Sequence, residues 1–95
     1  MTLFETYLMA IGKAIRAQRD NKALTQQQLI GFVHKLDESG EEKRQLAQET
    51  LSRIENGRFN PSLKQLFLIS SALGLSLADL HSIAQKIANE AADEG

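Results

Sequence analysis

The segment Gln48–Arg53 brings together side chains that can form directional hydrogen bonds with a ligand. They supply an amide, a carboxylate, two hydroxyls and a guanidinium within six residues. Apolar residues recur around them at Ala47, Leu51 and Ile54, which is the spacing of one face of a helix. A short helix of this kind can be anchored in a core on one side and present donors and acceptors on the other sides. The pattern therefore predicts a binding element on the protein surface.

The sequence carries no constellation that indicates covalent catalysis or metal binding. It has no cysteine, and its two histidines, His34 and His81, are far apart. The acidic residues between 37 and 42 are flanked by Lys35, Lys43 and Arg44, which is typical of a solvated loop rather than a carboxylate cluster. Glycine-rich phosphate loops and nucleophile motifs are also missing. We therefore expect no enzyme activity, no cofactor and no metal.

Length and composition predict one small globular domain over residues 1–95. Ninety-five residues suffice for a single core, and 42% hydrophobic with 24% charged residues is ordinary for such a chain. No apolar run approaches the ~20 residues that span a bilayer. Residues 1–12 lack the pattern of a signal peptide. We expect a cytoplasmic protein without membrane association.

Charge is unevenly distributed along the chain. The net charge is −1, but residues 13–64 hold ten of the eleven Lys and Arg residues against seven of the twelve acidic ones. A basic middle and an acidic end are compatible with a localised phosphate-facing surface. They are equally compatible with an ordinary mixed surface.

Apolar residues at three- and four-residue spacing predict an all-α fold of five helices. Thr25 with Gln28 and Ser62 with Gln65 form the capping-box pattern of a helix start. In the second helix the predicted buried stripe includes Leu36. The predicted helices run from near Phe4 to Asn21, from Thr25 onward, from about Ala47 to Asn56, from Ser62 to about Gly74, and over 77–92.

Three motifs in order along the chain carry a resemblance to a known family. They are Thr25-Gln-Gln-Gln-Leu, Ser52-Arg-Ile-Glu-Asn-Gly and Asn60-Pro-Ser-Leu. Over residues 10–80 the chain resembles the helix-turn-helix domain of the Cro and phage-repressor type. The resemblance implies a repressor-like domain that binds a double-stranded DNA operator through a recognition helix, as a transcriptional regulator and most often a repressor.

The segment 34–45 departs from the family pattern. The usual turn between the two motif helices is short, and this chain carries about eleven residues more. One interpretation extends the second helix to about Glu38, followed by a charged loop whose acidic residues face solvent. The other takes Ser39 and Glu42 as a capping box that starts the next helix two turns early.

The resemblance also assigns site residues. Base contacts fall on the outward positions of the recognition helix: Gln48, Glu49, Thr50 and Arg53. DNA-backbone contacts fall on residues around this helix: Gln26, Asn56, Arg58 and Asn60. We expect the insertion to add two more, Lys43 and Arg44. A structural ion pair is implied between Arg19 and Glu55. The alternative is that the polar residues form only the solvated side of a surface helix.

Pairing of two chains is expected through the last helix. Its apolar stripe is larger than one short terminal helix needs, and it comprises Leu80, Ile83, Ala84 and Ile87, with Ala91. The same stripe could instead cover the first helix of its own chain. Two function classes thus stay open: a homodimeric DNA-binding regulator, and a protein-interaction module, such as an antitoxin, that binds a partner protein.

Overall fold

Six helices, and no strand, make up the part of the chain that the structure describes. The structure is a computed structural model that covers the backbone of residues 1–94 and the side chains of residues 1–92. The all-α fold class is confirmed, with one helix more than the sequence predicts. The helices are α1 (Leu3–Asn21), α2 (Gln26–Leu36), α3 (Glu42–Gln45), α4 (Gln48–Glu55), α5 (Leu63–Ala72) and α6 (Leu77–Glu94).

Reciprocal capping boxes fix where α2 and α5 begin. The backbone N–H of Gln28 donates to Thr25 Oγ1 at 3.1 Å, and Thr25 N–H donates back to Gln28 Oε1 at 2.8 Å. Ser62 and Gln65 form the same pair of bonds, both at 3.0 Å. Each box satisfies N–H groups that have no partner inside the helix. Both predicted boxes are confirmed.

The core lies where α1 crosses the other helices. The first helix packs most extensively on α6 and also on α4, while α2 packs on α5 and α4. Apolar side chains from every long helix meet there, and the largest fully buried ones are Ile11, Ile15, Leu29, Leu46, Leu51, Ile54, Ile69, Leu73 and Leu80. The predicted burial of Leu36 is wrong, because α2 ends at that residue and leaves its side chain 46% exposed.

The α6 stripe is not a free surface. Leu80 and Ala84 are completely buried within their own chain, and Ile83 and Ile87 pack partly buried against the same core. The expectation that these four residues form a dimer interface is therefore wrong for Leu80 and Ala84. Their burial is explained by α1, whose apolar face needs the cover that α6 provides.

The insertion is ordered and partly buried rather than a solvated loop. Helix α2 ends at Leu36 instead of Glu38, and a separate helix of four residues, α3, precedes α4. The capping box of Ser39 and Glu42 is also absent, because Glu42 N–H donates to Asp37 Oδ2 at 2.8 Å instead of to Ser39. The N-cap residue of α3 is Glu41, and its side chain makes no capping hydrogen bond. Leu46 then enters the core and separates α3 from α4.

Two acidic residues of the insertion face inward, contrary to expectation. Asp37 lies 3.0 Å from Lys64 Nζ, and Glu42 accepts a hydrogen bond of 2.9 Å from Gln65 Nε2. Both carboxylates are buried, whereas Glu38 and Glu41 are exposed as predicted. We call the set Asp37, Glu42, Lys64 and Gln65 the α5 brace, because it fastens the insertion to the first turn of α5.

Gly12 allows α1 to touch the backbone of α4. A Cβ atom at this position would lie 2.5 Å from the carbonyl oxygen of Glu55 and would also overlap the carbonyl oxygen of Ile54. No side chain larger than hydrogen fits without moving one of the two helices. The position of α4 against α1 is therefore determined by direct backbone contact.

No single helix within residues 1–94 is both long enough and apolar enough to span a membrane. Only Leu63–Ala72 and Leu77–Ala92 together, a pair bent by 95°, have the length and composition. Their apolar residues include Leu68, Ile69 and Leu80, which are core side chains here.

Candidate nucleic-acid interface

Helix α4 divides its residues between an anchored side and an open side. Leu51, Ile54 and Glu55 are buried, so the helix is held by its inner face. The predicted base-contact residues lie on the open side: Gln48, Glu49 and Arg53 are exposed and Thr50 is half-buried. Ala47, at the N-cap, provides no side-chain hydrogen bond to the first turn. The open side can thus present donors and acceptors to a ligand at no cost to the core.

The ion pair between Arg19 and Glu55 is present and nearly buried. Arg19 Nε lies 2.8 Å from Glu55 Oε2, and Nη2 donates to Oε1 at 2.9 Å, so the pair is bidentate. The side chains are 11% and 3% exposed. Hydrogen bonding to Glu55 raises the pKa of Arg19 above its ordinary value. The third donor of the guanidinium reaches Leu24 O at 2.8 Å, which ties α1, α4 and the α1–α2 turn together.

The first turn of α2 lies against α4 through two glutamines. Gln26 Nε2 donates to Glu55 Oε1 at 3.1 Å, so one of its two amide hydrogens is already used. Gln27 Nε2 donates to Gln48 Oε1 at 3.0 Å, and both side chains are exposed. The role of Gln27 is missed by sequence reasoning, since nothing local distinguishes this residue from Gln28. The bond leaves the Gln48 amide nitrogen free to donate outward.

The loop after α4 places further polar groups next to the open side. Gly57 has φ +70°, a left-handed conformation that ends the helix, and Arg58 N–H donates to Arg53 O at 2.8 Å. Asn56 Nδ2 donates to Ser52 O at 2.8 Å and so closes the C-terminus of α4. Arg58 and Asn60 are exposed. Three of the predicted backbone-contact residues are therefore gathered in one loop.

An aromatic ring lies under the Arg53 guanidinium. Its Cζ is 5.6 Å from the centroid of the Phe59 ring, within the range of a cation–π interaction. Phe59 itself is partly buried against the core. The sequence places Phe59 in the loop but does not reveal this contact, because it depends on how the Gly57 turn folds back.

The basic residues of the insertion differ in availability. Lys43 and Arg44 on α3 are exposed, and neither lies within 4.0 Å of a carboxylate in the described residues. Lys64 is engaged by Asp37 and by Glu41 at 3.3 Å, and the bond to Asp37 raises the pKa of Lys64. Among the side chains that the structure describes, those of residues 1–92, no three potential metal ligands come together.

Comparison with known proteins decides what this arrangement is. Residues 41–80 match the family described as Helix-turn-helix. Over 70 residues, 74% of this chain, the sequence is 36% identical to the immunity repressor protein of Bacillus phage phi105. The chain contains a helix-turn-helix domain of the phage-repressor type. The aligned part is 41% of that repressor's length, so this chain corresponds to less than half of it.

A solved structure shares the fold of the whole helix-turn-helix domain. The crystal structure of the clp gene regulator ClgR from Corynebacterium glutamicum has a TM-score of 0.78 and 26% identity, covering 93% of this chain and 82% of that one. The two relatives are named as a repressor and a gene regulator, which agrees with the expectation that the domain is not an enzyme. The matched residues 41–80 contain α3, α4 and α5, and α2 lies before them in the chain.

Proposed function

We propose that this helix-turn-helix domain binds a double-stranded DNA operator with α4 in the major groove and acts as a transcriptional regulator, in the manner of a repressor. An α-helix fits the major groove, where amide and guanidinium groups can pair with adenine and guanine edges. Gln48, Glu49, Thr50 and Arg53 would face the bases. We expect the protein to act in the cytoplasm, without a cofactor.

One observation carries the proposal. The residues that resemble the family's base-contacting positions are exposed or half-buried and lie outside the buried core, while Leu51, Ile54 and Glu55 hold the helix from behind. The Gln48 amide and the Arg53 guanidinium lie on the open side and are not paired with a carboxylate of the described residues, so they can bind a ligand. Phosphate contacts would come from Asn56, Arg58 and Asn60, from Gln26, and from Lys43 and Arg44 on α3.

The test is selection of bound sites from random duplex DNA, followed by single substitutions. We expect Gln48→Ala and Arg53→Ala each to cost ~1–3 kcal/mol at the selected site and to relax the preference for one base position. Lys86→Ala, an exposed change on α6 outside the proposed surface, should leave affinity unchanged. Unaltered base preference in both α4 variants would contradict the groove assignment.

The proposed phosphate-binding side chains have a separate signature in the same assay. Removal of one such cation should reduce the slope of log affinity against log salt by roughly 0.9, because fewer counterions are released. Arg58→Ala should therefore weaken all duplexes about equally and flatten the slope by ~1. The double variant of Lys43 and Arg44 should flatten it by about 2 while the preferred sequence stays the same. An unchanged slope would remove α3 from the contact surface.

A homodimer is part of the proposal, because one recognition helix reads only a few base pairs and pairing on a two-fold operator increases specificity. Burial of Leu80 and Ala84 moves the expected interface to apolar groups that the fold leaves uncovered. Leu3 and Phe4 are 89% and 53% exposed and line an open groove with Ala88 of α6. This groove is the interface that we propose.

A protein-interaction module is the second candidate, and a different surface favours it. Phe32 and Leu36 of α2 are 44% and 46% exposed, and both line a cleft with Ser71 and Ala72 of α5. Exposed apolar groups that lie together are typical of contacts with a partner protein. DNA affinity that is absent, or that does not fall with salt, would favour this function over operator binding.

A further inference from the structure

We infer that Phe59 is a positioning residue that determines how strictly Arg53 reads its base. The inference rests on the proposed contact of Arg53 with DNA. It concerns a residue outside α4 whose ring centroid lies 5.6 Å from Arg53 Cζ in the free protein. A long, exposed arginine side chain otherwise adopts many rotamers, and fixing one of them costs conformational entropy on binding.

The ring is itself fixed on both sides. Its side chain packs partly buried against the core, and its backbone follows the Gly57 turn and the bond from Arg58 N–H to Arg53 O. The following residue but one, Pro61, is buried and restrains the loop further. The ring therefore has a defined position relative to the same helical turn that carries Arg53.

Stacking and base recognition use different parts of the guanidinium. The aromatic ring attracts the cation through the face of its π-system, whereas guanine O6 and N7 accept hydrogen bonds from donors at the edge of the guanidinium plane. Arg53 has no carboxylate within 4.0 Å in the described residues, so no acidic group competes for those donors. Phe59 can hold Arg53 without occupying the atoms that would read a base.

A double-mutant cycle on the selected operator tests the inference. The duplexes are the selected site and the same site with the other three bases at the position whose preference Arg53→Ala abolishes. We expect Phe59→Leu, which keeps an apolar side chain but removes the π-system, to reduce that preference about fivefold. In the Arg53→Ala background the same change should have no further effect. The ratio between duplexes cancels any loss of folded protein.

Phe59→Tyr is the matched control, because it keeps the ring face. It should retain the preference to within about twofold, and the salt slope should be unchanged in all Phe59 variants because every phosphate-binding side chain stays in place. Equal effects of Phe59→Leu in both backgrounds, or a Phe59→Tyr variant as impaired as Phe59→Leu, would overturn the inference. If Arg53→Ala alters no base preference at all, the proposed Arg53 contact fails and the role of Phe59 fails with it.

Discussion

At the scale of single residues, the Arg19–Glu55 pair shows how this domain uses charge for structure. The guanidinium donates to Glu55 twice and to Leu24 once, and the Gln26 amide adds a fourth bond. Because these four bonds are directed at α4 or at the turn before α2, the pair fixes the orientation of α4 from its buried side.

Removal of one partner should be costly. Glu55→Ala leaves the Arg19 charge nearly buried and without its carboxylate, so we expect the free energy of unfolding to fall by ~3 kcal/mol. Arg16 and Asp20 provide the control, since they are 3.9 Å apart with side chains 65% and 61% exposed. Arg16→Ala should change stability by less than about 1 kcal/mol. Urea denaturation measures both, and equal losses would contradict a structural role for the pair.

At the scale of elements, the insertion is an ordered segment that packs against α5 rather than a flexible connection. Asp37 accepts from Glu42 N–H, from Ser39 Oγ at 2.7 Å and from Ser39 N–H at 3.3 Å, and it also pairs with Lys64. These groups hold the pKa of Asp37 well below its ordinary value, with the Glu42 N–H contributing most. His34 adds a bond of 2.9 Å to Leu46 O at the far end of the insertion.

The brace should make part of the stability depend on pH. The pKa of Asp37 is lower in the folded protein, so its contribution is complete above the unfolded value of about 4 and is lost as pH falls below it. We expect Asp37→Asn to lower the melting temperature at pH 7 and to shrink the difference from the unmodified protein at pH 3. Glu38→Gln, at an exposed site, is the control. Parallel curves for Asp37→Asn and the unmodified protein would refute this.

The insertion also marks the limit of what the sequence predicts. Helix starts at Thr25 and Ser62 depend on residues three apart, so local patterns find them. Burial of Asp37 and Glu42 depends on Lys64 and Gln65, more than twenty positions away, and acidic residues among lysines otherwise indicate a solvated loop. Because Glu42 is buried, the segment is part of the folded structure and not a connection that could be shortened freely.

The same limit applies to the α6 stripe and to the candidate site. Helical periodicity shows that Leu80 and Ala84 need cover, but not whether α1 or a second chain provides it. The family resemblance supplied the ion pair, but the contacts of Gln27 and Phe59 emerged only from the packing of elements against one another. The base-contact assignments themselves stay predictions.

At the scale of the whole molecule, two apolar surfaces and one polar surface lie apart from one another. The polar one comprises α4 and its flanking loop. The apolar ones are the groove at Leu3 and Phe4, and the cleft beside Phe32 and Leu36. One substitution in the groove and one on α5 can therefore distinguish which surface pairs two chains.

We expect Phe4→Asp to convert dimers to folded monomers with weaker operator binding, because a charge in the pairing groove opposes burial. Phe67→Asp is the matched control, since Phe67 is equally half-exposed but lies on α5. It should leave pairing intact, with the two recognition helices ~34 Å apart on the operator. Sedimentation at tens of micromolar distinguishes the cases. An unmodified protein that stays monomeric there would exclude the homodimer, and a dimer that dissociates only in Phe67→Asp would relocate the interface to α5.

The backbone contact at Gly12 has an evolutionary consequence. This contact positions α4 and does not involve the side chains of Gln48, Glu49 or Arg53. Those three positions can therefore change while α4 stays in the same place on α1. A lineage carrying this domain could thus acquire new target sequences through a few outward substitutions, with little selection against them for instability. Descendants should diversify at these three positions while glycine persists at residue 12.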